Sequence, residues 1–210
     1  MLSDHIGDAL IGHFSLFNLI GRISFPIFAF QSVEGYIHTK NFKKHMIKLL
    51  IFACISQIPF ILFLNTFTKD FSLNIFFTFF LGLLTIFIYD KCNNKFIGII
   101  SVIFLTILAQ LIKVDYGAYG IALIFIFYIF REEKIAMIVS SILAISIYYI
   151  TKMVVFPNSI LNYVYCIIFS SISLIFITFY NKKEGPKTKY LFYTFYPIHL
   201  LILYFLHTIL

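Results

Sequence analysis

Residues 96–112 read FIGIISVIFLTILAQLI, and no charged side chain interrupts them between Lys95 and Lys113. An α-helix of this length rises by about 26 Å, which is close to the thickness of the hydrocarbon core of a bilayer. The whole chain has this character, because hydrophobic residues make up 61% of its 210 residues and charged residues only 12%. A water-soluble domain of this size would need more polar residues to cover its exterior. The composition therefore predicts a protein that is solvated by lipid.

Seven further apolar runs predict helices that are joined by short polar loops. They lie near residues 20–37, 46–64, 73–89, 119–130, 135–151, 160–180 and 190–209. Together with residues 96–112 they predict an all-α, polytopic integral-membrane bundle of about eight transmembrane helices. We expect a single domain over residues 1–210, with an N-terminal polar stub at residues 1–19.

Basic residues are distributed unequally between alternate loops. One set of loops holds twelve Lys and Arg residues and the other set holds three, so the positive-inside rule predicts that the first set faces the cytoplasm. These residues form no stripe along a helix, so the net charge of +7 indicates topology and not nucleic-acid binding. The first set comprises Lys40, Lys43, Lys44, Lys48, Lys91, Lys95, Arg131, Lys134, Lys182, Lys183, Lys187 and Lys189, and the second comprises Lys69, Lys113 and Lys152.

The N-terminal stub carries the densest group of titratable residues. Asp8 follows Asp4 by four positions and His5 by three, so one helical turn would bring the three together. The sequence supplies no further ligand beside them, which favours an acid/base pair over a metal site. A solvated stub without a function is the alternative.

Arg22 and His199 lie inside predicted spans, where an unpaired charge is costly. Arg22 opens the first span and either snorkels to the headgroups, pairs with a buried carboxylate, or binds a phosphate or carbonyl oxygen. His199 follows Tyr196-Pro197-Ile198 and lies about 14 Å into the last span. An imidazole at that depth is uncommon, which favours a function over a histidine bonded only to its own helix.

Three further residues are candidates. Glu34 and His38 are four residues apart and share one helix face, so the carboxylate can orient the imidazole and raise its basicity. The alternative for Glu34 is an interfacial pair with Lys40 or Lys43. Asp115 begins the sequence Asp-Tyr-Gly between two spans, which is compatible with an ordinary turn or with a binding group on the outer side.

These residues, in this order, resemble the TraX family. The resemblance extends from residue 4 to residue 199. It is carried by Asp4-His5-Ile6-Gly7, IGRISFPIFAF at 20–30, VEGY at 33–36 with His38-Thr39, Asp115-Tyr116-Gly117, and Tyr196-Pro197-Ile198-His199. In the family the Asp-His-Ile-Gly element closes a first transmembrane helix, so we expect that helix to be truncated or missing in this chain.

The resemblance implies an enzyme of the bacterial cytoplasmic (inner) membrane. TraX is the conjugation-associated protein that acetylates the N-terminus of F pilin. The family is similar to integral-membrane acyltransferases that take acetyl groups from acetyl-CoA on the cytoplasmic side. This implies an acetyl-CoA-dependent N-acetyltransferase without a metal, whose acceptor is the amine of a peptide or pilin-like N-terminus.

On this resemblance we assign a role to each candidate. His5, oriented by Asp4 or Asp8, is the first choice for the general base, and His199 is the second. Arg22 neutralises a carboxylate or stabilises the developing oxyanion. The residues expected to bind CoA are Glu34, His38, Lys40, Lys43 and Lys44, and those expected to bind the acceptor are Asp8 and Asp115.

Two questions stay open at this point. The catalytic candidates are predicted in the outer half of the membrane and Glu34 and His38 in the inner half. Either the pantetheine arm therefore threads through a tunnel, or the inner pair marks the CoA entrance. A small proton-coupled membrane transporter is the alternative function, because intramembrane Asp, Glu and His also form proton relays. A non-catalytic membrane scaffold is a third class.

Overall fold

The computed structural model describes residues 1–68, 71–156, 159–183 and 189–209. Two basic residues used in the loop comparison, Lys69 and Lys187, lie outside these ranges. Within them the chain is helical, and its extended backbone pairing is limited to an isolated bridge between Leu73 and Val114. The predicted all-α fold is confirmed.

The helices follow the predicted apolar runs closely. A short α-helix and a π-helical segment at Gly7–Ile11 precede the first long run. The first run forms two helices, and each later run forms one. The α-helices are α1 Leu2–Ile6, α2 Leu16–Arg22, α3 Ser24–His38, α4 Phe42–Leu64, α5 Ile75–Lys91, α6 Lys95–Leu111, α7 Gly117–Ile129, α8 Lys134–Val155, α9 Ile160–Thr178 and α10 Lys189–Ile209.

Five helical stretches of the described chain are long and apolar enough to cross a bilayer. They are Leu16–His38, Phe42–Leu64, Lys134–Val155, Ile160–Thr178 and Leu191–Ile209. Helices α6 and α7 are apolar but shorter. Many large apolar side chains of α6, among them Phe104 and Leu111, are exposed, as expected for a surface that faces lipid. The chain is a multi-pass membrane protein, and the number of eight spans stays a prediction.

The chain divides into two compact units. The first unit comprises Met1–Ile27, Cys54–Phe71 and Tyr149–Leu210, and the second comprises Phe28–Ala53 and Ser72–Tyr148. Helices α3, α4 and α8 contribute residues to both units. The expectation of a single domain over residues 1–210 stays a prediction.

In the second unit, α5, α6 and α7 pack against one another. Leu83 and Ile86 of α5 and Ile124 of α7 are fully buried. A Cβ atom at Gly82 would lie 2.5 Å from the Ile124 side chain, so the small residue permits the close approach of α5 and α7. Lipid is as apolar as these side chains, and tight packing rather than escape from water therefore holds such helices together.

Polar side chains secure the ends of these helices. The Asn74 side chain caps α5 by accepting from the Phe76 amide at 3.0 Å, and it donates to the Ala53 carbonyl at 2.7 Å. The Thr78 hydroxyl donates to the carbonyl of Asp115, and the Asp115 amide donates to the Leu73 carbonyl at 2.7 Å. These polar atoms are satisfied within the apolar interior, which is the condition for burying them.

In the first unit, the N-terminal segment is folded and not an irregular stub. Helix α1 and the π-helical segment pack against α2 and α10. The π-helical segment ends at Gly12, whose φ of 71° lies in the left-handed region that glycine tolerates. The His207 imidazole Nδ1 donates to the Ala9 carbonyl at 2.8 Å and ties α10 to this segment.

Two glycines let α1 approach α2. A Cβ atom at Gly7 would lie 2.6 Å from the Asn18 side-chain oxygen. A Cβ atom at Gly21 would lie 2.8 Å from the Asp4 Cα atom and would overlap the Asp4 side chain. The absence of side chains at these two positions therefore brings Asp4 and Asn18 together.

Candidate functional site

Two imidazole rings lie next to each other in the first unit. The ring centroids of His5, on α1, and His199, on α10, are 5.3 Å apart, with an angle of 33° between the ring planes. Aromatic rings flank both: Phe63 meets His5 edge-on at 5.1 Å, and Phe195 stacks on His199 at 4.9 Å. We call these two residues the imidazole pair. The pair lies 194 positions apart in sequence, so the fold and not a local motif assembles it.

The tautomer of His199 is determined by its surroundings. Its Nδ1 atom lies 2.7 Å from the Phe195 carbonyl oxygen, which can only accept a hydrogen bond. Nδ1 therefore carries the proton, and in the neutral ring Nε2 holds the lone pair. This Nε2 atom is buried and has no hydrogen-bond partner within the described part of the chain. A buried lone pair without a donor is available to take a proton.

His5 presents a similar nitrogen. Its Nδ1 atom is buried and, among the residues that the structure describes, has no hydrogen-bond partner. Burial, followed by the proximity of His199, lowers the pKa of His5 well below its usual range. His5 is therefore neutral at neutral pH. Both members of the imidazole pair can act as acceptors.

An ion pair lies on the same helices. The Arg22 guanidinium contacts the Asp4 carboxylate at 3.0 Å, and the two side chains are 25% and 13% exposed. The Asn18 side-chain amide donates to Asp8 at 2.7 Å and to Asp4 at 3.3 Å, and so bridges the two carboxyl groups. Arg22 and Asn18 are thus bonded to the carboxyl groups of Asp4 and Asp8, which we expected to orient His5.

The carboxyl group of Asp8 differs from that of Asp4. Burial, followed by repulsion from Asp4, raises the pKa of Asp8 to about 6. The amide of Asn18 and the charge of Arg22 oppose this shift. Asp8 therefore changes its charge near pH 6, beside the Asp4–Arg22 ion pair.

The structure brings five of the eleven predicted site residues into the first unit: Asp4, His5, Asp8, Arg22 and His199. The other six, Glu34, His38, Lys40, Lys43, Lys44 and Asp115, belong to the second unit. There Glu34 and His38 contact each other at 3.5 Å, as their spacing predicts. The three lysines are exposed. The catalytic and binding roles of all eleven stay predictions.

The second unit contains a cleft of 390 Å³ that the sequence did not predict. The Asp90 carboxylate accepts hydrogen bonds from the Tyr128 hydroxyl at 2.7 Å and the Tyr36 hydroxyl at 3.2 Å. The rings of Phe42 and Phe87 stack at 4.4 Å in its wall. Arg131 lies 4.8 Å from the centre of the Tyr128 ring and also lines the cleft. We call it the tyrosine–aspartate cleft.

Sequence reasoning missed Asn18 and the members of this cleft. Asn18 precedes Arg22 by four residues on α2, and that spacing is a signal that could have indicated it. The cleft offered no comparable signal, because Tyr36, Asp90 and Tyr128 come from α3, α5 and α7. No group of three or more metal-binding side chains converges anywhere in the described ranges.

These features define a class: a multi-pass helical membrane protein in which titratable residues of α1, α2 and α10 are gathered among apolar helices. The model of the TraX protein family matches residues 1–207, and the chain belongs to this family. It is also similar to "Probable fimbrial assembly protein FimC, serogroup H1" of Dichelobacter nodosus. The two are 28% identical over 202 residues, which cover 88% of this chain and 80% of that protein. No solved structure matches the chain.

Proposed function

We propose that this protein is an integral-membrane acetyltransferase that moves an acetyl group from acetyl-CoA to an amine, such as the N-terminus of a pilin or another peptide. The observation that carries the proposal is the imidazole pair, whose two buried nitrogens have no hydrogen-bond partner among the residues described. Membership of the TraX family supports a pilin-related role. So does the name of the D. nodosus relative, which describes that protein as a fimbrial assembly protein.

The reaction requires a base because an amine is protonated at neutral pH and has no free lone pair. In the proposed reaction, the ammonium first loses one proton to the surrounding water. His199 Nε2 then takes a second proton as the neutral amine nitrogen attacks the carbonyl carbon of the thioester. The carbon–sulfur bond breaks, the thiolate leaves, and it receives the proton to give an amide and free CoA. The Phe195 carbonyl, which accepts from Nδ1–H, stabilises the imidazolium that forms in between.

His5 is the second imidazole of the proposed site. Its depressed pKa keeps it neutral, so it does not repel the charge that forms on His199. The Asp4–Arg22 ion pair holds α1 against α2 and thereby fixes the position of His5. Arg22 acts in this proposal as a positioning residue that neutralises Asp4, and not as an oxyanion donor.

The test uses the full chain, purified in detergent, with acetyl-CoA and a peptide that has a free N-terminal amine. Mass spectrometry is expected to detect the acetylated peptide, and a thiol assay the same amount of CoA. A peptide with a blocked N-terminus is expected to remain unmodified. His199→Gln is expected to lower the rate by about 100-fold or more, which is the usual contribution of a general base.

His13→Gln is the matched control, because His13 is an exposed histidine of the same N-terminal segment. It is expected to retain the wild-type rate. A wild-type protein that neither binds acetyl-CoA nor releases CoA would contradict the proposal. Proton-coupled uptake of a solute in vesicles, without acetyl transfer, would support the transporter instead.

A further inference from the structure

The tyrosine–aspartate cleft has the features of a ligand site, and the reaction proposed at the imidazole pair gives it no role. We infer that it binds the adenine nucleotide end of a CoA thioester, which carries a purine, a ribose phosphate and a diphosphate. This inference rests on the proposed function, since it takes acetyl-CoA as the acetyl donor. It concerns only the nucleotide end, so the nucleotide fragment alone can test it.

The walls of the cleft are suited to a planar base. Phe42 and Phe87 form a stacked pair, and Tyr36 meets Phe42 edge-on at 5.4 Å and Tyr128 edge-on at 5.8 Å. Aromatic side chains of this kind provide surfaces on which a base can stack. The volume of 390 Å³ is within the usual range for small-molecule sites, which is about 300–1,000 Å³.

Asp90 supplies the acceptor. Each of its carboxylate oxygens receives one tyrosine hydroxyl, which holds the group in place and leaves lone pairs for a further donor. Asp90 is exposed, so a ligand can reach it without displacing a helix. The exocyclic amino group of adenine is a donor of the required kind.

Arg131 and Lys91 supply positive charge at the same cleft. One Arg131 nitrogen donates to the Tyr128 carbonyl at 3.1 Å, and Glu132 lies 3.8 Å from another. A guanidinium has five N–H donors in a planar fork, and both Arg131 and Glu132 are exposed, so their mutual attraction is weak. Two cations beside an aromatic wall favour a ligand that joins a base to several phosphates.

Part of the cleft belongs to the same segment as the residues that were predicted from the sequence to bind CoA. The residues predicted to bind CoA were Glu34, His38, Lys40, Lys43 and Lys44. The residues that line the cleft, Tyr36, Ile37, Thr39 and Phe42, alternate with them on the same segment.

The experiment measures binding of adenosine 3′,5′-bisphosphate and of acetyl-CoA to the purified full chain by isothermal titration calorimetry. Arg131→Gln and Asp90→Asn are each expected to weaken both ligands by about tenfold. Lys134→Gln and Glu133→Gln are the matched controls, since these exposed residues carry the same charges and do not line the cleft. They are expected to bind within twofold of the wild type.

The possible failures differ from one another. If acetyl-CoA binds the wild type and both cleft variants equally, this inference is wrong and the proposed function stands. If the wild type binds neither ligand and acetylates nothing, both are wrong. If phosphatidylglycerol vesicles bind but the bisphosphate does not, and Arg131→Gln weakens the binding of the vesicles, the cleft recognises a lipid phosphate. The inference is wrong in that case too.

Discussion

The imidazole pair of the first unit and the tyrosine–aspartate cleft of the second unit differ in the burial and the hydrogen bonding of their polar atoms. At the imidazole pair, two buried nitrogens lack hydrogen-bond partners within the described residues. In the cleft, an exposed carboxylate receives a hydroxyl on each oxygen. An unsatisfied buried polar atom costs about 1–3 kcal/mol, which folding alone gives no reason to retain. The comparison suggests chemistry at the first site and recognition at the second.

Loss of the Asp4–Arg22 ion pair is expected to produce the largest change in stability, because this partly buried pair holds α1, which carries His5, against α2. Arg22→Gln leaves the Asp4 charge without its guanidinium partner and is expected to destabilise the protein by about 2–3 kcal/mol, which is less than for a fully buried pair. The double variant Asp4→Asn with Arg22→Gln is expected to recover part of the loss. Thermal unfolding in detergent measures both, and equal losses in the single and double variants would contradict the assignment.

Gly21→Ala tests whether close packing of α1 on α2 matters to the imidazole site. Its Cβ atom would overlap Asp4, so we expect about 1–3 kcal/mol of destabilisation together with a loss of acetyl transfer. Gly35→Ala is the control, because a Cβ atom there meets no atom within 4 Å. Unfolding temperature and acetylation rate are measured for both. A Gly21→Ala protein with wild-type values would show that α1 can shift without harm to the site.

The raised pKa of Asp8 predicts how stability depends on pH. The carboxyl group has a pKa of about 6 in the folded protein and about 3.9 in an unfolded chain, so ionisation favours unfolding. Stability therefore falls as pH rises from about 4 to about 6 and does not fall further above that. Asp8→Asn removes this loss and keeps an oxygen for the Asn18 amide. We expect it to stabilise the protein by about 1–2 kcal/mol at pH 7.5, after allowance for partial exposure, and hardly at all at pH 4.

Unfolding temperatures of both proteins between pH 4 and pH 8 check this prediction. The difference between Asp8→Asn and wild type is expected to grow from about pH 4 to about pH 6, with its midpoint near pH 5, and to stay constant at higher pH. A difference that is constant over this interval would mean that Asp8 ionises in the folded protein as it does in water.

Glu34→Gln is expected to have the smallest effect on stability. The contact of Glu34 with His38 is 3.5 Å, and His38 is 66% exposed, so its contribution is within about 0.5 kcal/mol. Thermal unfolding measures it. A loss of stability as large as that of Arg22→Gln would contradict the distinction between the exposed Glu34–His38 contact and the partly buried Asp4–Arg22 pair.

Helices α3 to α10 could be predicted from the sequence because each of them coincides with a run that only lipid can solvate. Residues 96–112 differ from α6 by a single residue at each end. The Glu34–His38 contact could be predicted for a similar reason, since the helical repeat alone places residues four apart on one face. Both predictions depend on local geometry.

The sites were harder to predict because they depend on how distant segments meet. His5 and His199 come from the two ends of the chain, and Tyr36, Asp90 and Tyr128 come from three helices. The sequence identified His199 as an imidazole inside an apolar span and His5 as part of the dense titratable group near the N-terminus. It assigned Asp4 and Asp8 to His5, whereas the buried amide of Asn18 and the guanidinium of Arg22 hold those carboxyl groups.

The most direct measurement compares the acetylation rates of His5→Gln, His199→Gln and the double variant with that of the wild type, at saturating acetyl-CoA. Residues that act as one unit lose activity non-additively. His199→Gln is expected to lose about 100-fold or more, His5→Gln a smaller factor because His5 takes no proton in the proposed reaction, and the double variant no more than His199→Gln alone. Wild-type rates in both single variants, or losses that multiply in the double variant, would contradict the claim that the imidazole pair forms one reaction site.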